Sequence, residues 1–342
     1  MKNLKFNSVI ILLISSVFMY IVLKDNFAKS MKLLFESNLF WILAAIGLFV
    51  IHVFLEAVAM HLITKQHHKK YPFWKMFRLQ GMTKFFNGIT PFSSGGQPLQ
   101  VYELTKGGLT PAKATNVIVE YFILFQIAVV SMGTISTILN YIFNFYKYVP
   151  ALRYFYMFGY IVNFILLIIV FMASVNIEKN KRMAIWINNV LYKIKIVKNK
   201  EKNQKKLDKF FSDYFAGFQK LKNNKKLMFK VVLVLIACLS VYFLIPQLVF
   251  NALNIPHQLN IFTSIITGVY IFIMSSFVPI PGAAGGVELG FVSFFANFVP
   301  KKLLPPALII WRFITFYLPT LVGGIIYNFF GDRHLSSKKT VK

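Results

Sequence analysis

NGITPFSSGGQPLQVYE, Asn87 to Glu103, interrupts an apolar run and decides how the chain is read. Phe85, Phe86 and Ile89 lead into Pro91, then Ser93-Ser94-Gly95-Gly96 intervene before Leu99, Val101 and Tyr102 resume the hydrophobic pattern. Proline lacks a backbone donor and glycine loses much backbone freedom on ordering, so the stretch cannot continue one regular helix. Its limbs have about ten to twelve residues, roughly 15–18 Å at helical rise, or half a bilayer. Irregular backbone at that depth is tolerated only where it is buried in protein or lines a wet cavity. Broken helices of this sort hold substrates in membrane transporters.

The setting is a membrane. Hydrophobic residues make up 57% of the 342, charged residues only 14%, and mean hydropathy is +0.61. Full-length apolar segments are expected at about 7–23, 39–63, 114–139, 154–175, 231–250 and 308–330. The first resembles a signal peptide but lacks a small-residue cleavage site, so an uncleaved anchor is expected. The formal charge of +27 is distributed by position. Lys65, Lys69, Lys70, Lys75 and Arg78 follow the second segment, and 176–230 holds sixteen basic against four acidic residues. Basic loops of this kind stay in the cytoplasm, which places both termini inside a bacterial-type cell membrane. No nucleic-acid motif accompanies the charge, so nucleic acid is not an expected partner. Within 176–230, Leu207, Phe210, Phe211, Tyr214, Phe215, Phe218 and Leu221 recur at helical spacing. That helix either lies in the lipid interface or packs on the floor of the bundle.

A second break, Pro279-Ile280-Pro281-Gly282-Ala283-Ala284-Gly285-Gly286-Val287-Glu288, carries the same Pro-x-x-x-Gly-Gly spacing as Pro91 to Gly96. The loop charges make the first hairpin open to the cytoplasm and the second to the outside. The fold class expected is therefore an all-α polytopic membrane protein. It has about six full transmembrane helices plus two oppositely oriented re-entrant helical hairpins, an inverted repeat. The repeats fall at about 39–140 and 231–330, with 176–230 as a basic cytoplasmic loop within a single membrane domain. The alternative is that the Gly and Pro residues are packing kinks, with Gly286-x-x-x-Gly290 as a helix contact.

The second limb of each hairpin starts at a Gly-Gly pair, where free N–H groups and a positive helix end favour an anion such as phosphate. Ser93 and Ser94 are placed to cap that limb or donate to the same anion, with Gln97 beside them. In the second copy Gly285 and Gly286 stand next to alanines, so backbone contributes more. Charged residues inside spans face protein or water rather than lipid. They include Glu288, open to Arg312, a proton or a cationic headgroup, and Arg312 itself, for which a buried partner is expected. His52 and Glu56 lie on one helical face, and Glu120 sits near the inner end of its span. The lone Cys238 admits no intramolecular disulfide, and no catalytic triad, phosphate-binding loop or metal motif is present, so no cofactor or metal is expected.

At Asn87 to Gly96, Leu104 to Glu120, and Pro279 to Glu288 with Arg312, the sequence resembles the lysyl-phosphatidylglycerol synthase transmembrane-region family, the flippase-like membrane part of multiple-peptide-resistance-factor proteins. The resemblance covers about residues 5–332. It departs from the family at Gln97, where a Glu commonly follows the glycine. The resemblance implies binding or movement of phospholipids, anionic or aminoacylated such as aminoacylated phosphatidylglycerol, and cationic-peptide and antibiotic resistance in some members. Larger members carry a soluble aminoacyl-transfer domain, which is not expected in the twelve residues after Phe330. A lipid transporter or flippase leads, with a phosphatidylglycerol lysyltransferase and a non-catalytic membrane scaffold as alternatives.

Overall fold

The computed structural model describes Lys32 and residues 35–143, 150–175, 177–193, 200–256 and 258–330. The expected first span at 7–23 and the basic tail lie outside these. Among the described residues every regular element is helical. The order is α1 (Leu39–His67), α2 (Phe73–Gly88), α3 (Gly96–Lys106), α4 (Pro111–Phe143), α5 (Pro150–Val175), α6 (Ile177–Lys193), α7 (Lys200–Asn223), α8 (Lys225–Ala252), α9 (Ile261–Ser275), α10 (Gly286–Phe295), α11 (Leu304–Arg312) and α12 (Leu318–Phe330). Short 3₁₀ turns at Pro91–Ser93 and Pro281–Ala283 separate α2 from α3 and α9 from α10. A π turn, Phe313–Tyr317, joins α11 to α12.

Five helical stretches are long and apolar enough to cross a membrane: Leu39–His67, Pro111–Phe143, Arg153–Met172, Lys225–Ala252 and Lys301–Phe330. They coincide with the five expected spans that fall within the described residues. The limbs flanking the breaks are shorter, with 16, 11, 15 and 10 residues in α2, α3, α9 and α10. Even the longest is about 24 Å at 1.5 Å per residue, short of a hydrocarbon core of roughly 30 Å. Helix starts are set by local chemistry. Asn260 accepts from the Thr263 N–H at 2.9 Å while the Thr263 hydroxyl accepts from the Asn260 N–H at 2.8 Å, a reciprocal capping box at α9. Asn38 and Asn224 cap α1 and α8 in the same way through one bond each.

The most extensive helix pair is α1 with α8. Ala45, Ala57, Ala59 and Cys238 are buried along these helices. Small residues of this kind let backbones approach where lipid provides no hydrophobic drive for association. The next most extensive pair is α2 with α12. There a Cβ on Gly323 would run into the Gly81 carbonyl oxygen, so only glycine permits the crossing. On α5, by contrast, Phe155, Phe158, Ile161, Ile165 and Ile169 are exposed, which is what a lipid-facing helix presents.

The amphipathic helix expected within 176–230 is α7, and it packs on the bundle rather than standing alone. Tyr214, Phe218 and Leu221 are buried, and α7 contacts α4 and α1. Asn116 of α4 donates to the Tyr214 carbonyl at 2.9 Å, and Gly217 lies where a Cβ would meet the Asn116 amide.

Candidate functional site

The two breaks, 190 residues apart in sequence, touch each other: the turn at Pro91–Ser93 packs on the turn at Pro281–Ala283. Their backbones match over four positions. Thr90 and Ile280 are extended, Pro91 and Pro281 begin the turns, and the next two residues are left-handed in both. Phe92 and Ser93 have φ of 54° and 51°, and Gly282 and Ala283 have 63° and 50°. Left-handed backbone costs a non-glycine residue roughly 1–2 kcal/mol, so Phe92, Ser93 and Ala283 hold strained conformations that the surroundings must enforce. The copies then diverge. Gly95 is right-handed with φ −72°, whereas Gly285 is left-handed with φ 87°.

Three of these glycine N–H groups, those of Gly95, Gly96 and Gly285, are engaged within the protein. Thr90 Oγ1 accepts from the Gly95 N–H at 2.8 Å and itself donates to the Phe86 carbonyl at 2.8 Å. Asn87 Oδ1 accepts from the Gly96 N–H at 2.9 Å. Neither serine caps the limb. Ser94 donates its hydroxyl to the Pro91 carbonyl, and Ser93, Ser94 and Gln97 are exposed around the turn. Thr90 and Asn87 cap instead because the left-handed pair at 92–93 folds the chain back over them. Inside the first hairpin, Gln100 donates to Gln80 at 3.4 Å and to Thr83 at 3.2 Å, tying α3 to α2.

In the second break the clamp is ionic. Glu288 Oε2 accepts from the Gly285 N–H at 2.7 Å, while Oε1 lies 2.7 Å from Arg312 Nε. Arg312 also donates from Nη2 to the Gly282 carbonyl at 3.2 Å and stacks over Phe316, 4.6 Å from the ring centre. Both side chains are buried. One guanidinium thus holds the turn and the start of α10 together, and Gly286 opens that helix. The π turn begins directly after Arg312 and re-phases the helix that carries Phe316.

A second, half-buried charge group stands beside the first break. Lys84 of α2 reaches both Glu56 oxygens of α1, at 2.7 and 2.8 Å, and His52 Nε2 lies 3.3 Å from the same carboxylate. His52 is fixed from behind, with Nδ1 3.1 Å from the Cys238 carbonyl oxygen of α8. The helix that carries Lys84 also touches the second turn. Glu120 is remote from this group and belongs to the floor, where it is 3.1 Å from His67 Nε2. Of the residues singled out in sequence, the fold therefore gathers Ser93 to Gln97 with Gly285, Gly286, Glu288 and Arg312, places His52 and Glu56 beside them, and leaves Glu120 apart.

Lys84, Asn87 and Thr90 were not singled out by sequence. Lys84 carried a signal, being a lone charge in the apolar stretch of 79–92, where ionisable residues need a partner. Its partner Glu56, itself singled out in sequence, lies 28 residues away, and no local spacing joins the two. Among the described residues no group of three His, Cys, Asp or Glu side chains gathers that could hold a metal ion.

A relative from Archaeoglobus fulgidus described as a UPF0104 membrane protein is 25% identical over 301 residues, covering 86% of this chain and 88% of its own length. The family described as Lysylphosphatidylglycerol synthase TM region matches residues 8–323, a stretch that contains both breaks, both charge groups and α7. The chain belongs to that family of membrane proteins related to lipid chemistry.

Proposed function

We propose that the protein moves phospholipids across the membrane, accepting the headgroup where the two breaks meet. The observation that carries this reading is the contact between two matched, strained helix breaks, each braced by its own clamp. In the proposed arrangement, α1 to α4 and α8 to α12 are inverted repeats, with the basic segments on the cytoplasmic side. Substrates of transporters built this way bind at the repeat interface near the midplane. Because the Gly95, Gly96 and Gly285 N–H groups are already engaged, the groups offered to an anionic or aminoacylated headgroup are the exposed Ser93, Ser94 and Gln97 side chains. The Lys84–Glu56 and Arg312–Glu288 pairs supply fixed charges of both signs on either side. Family membership supports a phospholipid as the cargo.

The test is leaflet-resolved transport. Full-length protein reconstituted into phosphatidylglycerol-containing vesicles with a fluorescent phosphatidylglycerol should expose the inner-leaflet probe to an impermeant quencher. Valine at Gly95, Gly96, Gly285 or Gly286 should abolish that exposure while the protein still inserts. Probe that stays on its original leaflet with wild-type protein, under every ion gradient applied, refutes the reading.

A further inference from the structure

A cavity of about 310 Å³ lies between the start of α2, the end of α3 and the end of α12. Lys75, Arg78 and Lys106 bring three cations to its lining, and Glu103 brings one carboxylate. Leu79 and Met82 make an apolar part of the wall. Arg78 is held in place: its Nε donates to the Trp74 carbonyl at 3.4 Å, and its guanidinium sits 4.9 Å from the Phe330 ring centre. Lys106 lies over the Tyr102 ring at 5.2 Å. Glu103 Oε1 is shielded from solvent and has no hydrogen-bond partner among the described residues. A carboxylate oxygen shielded this way is unfavourable until a donor reaches it. Burial pushes the Glu103 carboxyl above its usual range, with Lys106 opposing. Tyr71, in the same wall, is pushed up to about 12 by burial and by Glu103, so it stays a neutral phenol.

Phe330 in the lining and Trp74, whose carbonyl holds Arg78, are exposed, and aromatic side chains alongside Lys and Arg mark the headgroup level of a membrane. We propose that this cavity is a binding site for a phospholipid headgroup that carries a primary amine beside its phosphate. The phosphate meets Arg78, Lys75 and Lys106, and the ammonium donates to Glu103 Oε1. Three cations without the carboxylate would take any anionic lipid, and the carboxylate alone would repel one. Their combination selects the zwitterionic pair. The site is separate from the two breaks and does not depend on transport taking place.

The experiment titrates detergent-purified full-length protein with phosphatidylethanolamine and with phosphatidylglycerol of identical chains, reading retention by native mass spectrometry. Wild-type protein should retain phosphatidylethanolamine about tenfold better. Glu103→Gln should bring that ratio to near one, and Arg78→Ala should weaken both lipids. Lys75→Ala, at an exposed position that does not endanger folding, should also lower retention of both. An equal ratio in the wild type, an unchanged ratio in folded Glu103→Gln, or full retention in Lys75→Ala overturns the proposal. Soluble O-phosphoethanolamine added as competitor identifies the source. Displacement of the lipid assigns the site to soluble phosphoamines, failure to displace assigns it to the lipid, and either supports the recognition chemistry. Loss of transport in the break variants would not alter this ratio, so the two readings fail separately.

Discussion

Removing the Arg312 guanidinium isolates the clamp at the second break. At 2.7 Å and an effective dielectric of about 20, the Arg312–Glu288 attraction is about 6 kcal/mol before desolvation. Each buried ion gives back several kcal/mol of hydration, so the intact pair is close to neutral relative to apolar residues of similar size. One partner alone is a different case. Arg312→Met leaves Glu288 buried without its cation, frees the Gly282 carbonyl and removes the contact with Phe316, a loss of roughly 3–5 kcal/mol. Glu288→Gln keeps an acceptor for the Gly285 N–H but strands Arg312, and should cost about as much. The double variant Glu288→Leu with Arg312→Met strands neither charge. Its loss should fall below either single loss, giving a coupling of about 3 kcal/mol in a double-mutant cycle completed with Glu288→Leu alone. Stability would be read from unfolding in mixed micelles titrated with dodecyl sulfate. Losses that add to within about 0.5 kcal/mol refute the clamp, since residues that do not interact behave that way. If the double variant is stable yet transports nothing, the charges serve the substrate as well as the fold.

The neutral clamp at the first break should respond through its orphaned donors: Asn87→Ala and Thr90→Val each leave a glycine N–H unpaired, at roughly 1–3 kcal/mol in the same unfolding titration. Gly95→Ala should be worse tolerated than Gly285→Ala. A Cβ at 95 would lie 2.8 Å from the Phe86 carbonyl oxygen, whereas at 285 it meets nothing and suffers only the strained positive-φ backbone, roughly 1–3 kcal/mol. Phe92→Gly should stabilise the protein by about 1 kcal/mol if the strain at φ 54° is the main consequence of that residue, and a thermal midpoint that falls instead would assign Phe92 a packing role. Lys84→Met should destabilise by roughly 3–5 kcal/mol by stranding Glu56, and Glu56→Leu in the same chain should recover most of it.

How much was legible in the sequence varies with the range of the interaction. The spans at Leu39–His67 and Lys225–Ala252 were readable because a bilayer demands a long apolar run, and such a run is local information. The breaks were readable for the same reason, since Pro91 and Pro281 with their following glycines act on their own backbone. Their relation through the shared Pro-x-x-x-Gly-Gly spacing was also visible, and the matching left-handed pairs at 92–93 and 282–283 are its backbone counterpart. The choice of caps was not. Ser93 and Ser94 were the natural candidates beside the limb, yet the turn aims Thr90 and Asn87 at the glycine N–H groups.

The sequence by itself therefore determined that the chain is a helical membrane protein, where its helices break, and which buried positions carry charge. Tertiary structure alone decided what those charges meet. Glu56 finds Lys84 because α1 packs on α2, Arg312 finds Glu288 because α11 packs on α10, and the two turns find each other across the bundle. Helix formation and span length depend on neighbours a few residues away. The partner of a buried charge depends on which helices share an interface, a property of the packed bundle as a whole. The stretch at Asn87 to Glu103 was legible as a break, and the bundle made it one half of a contact.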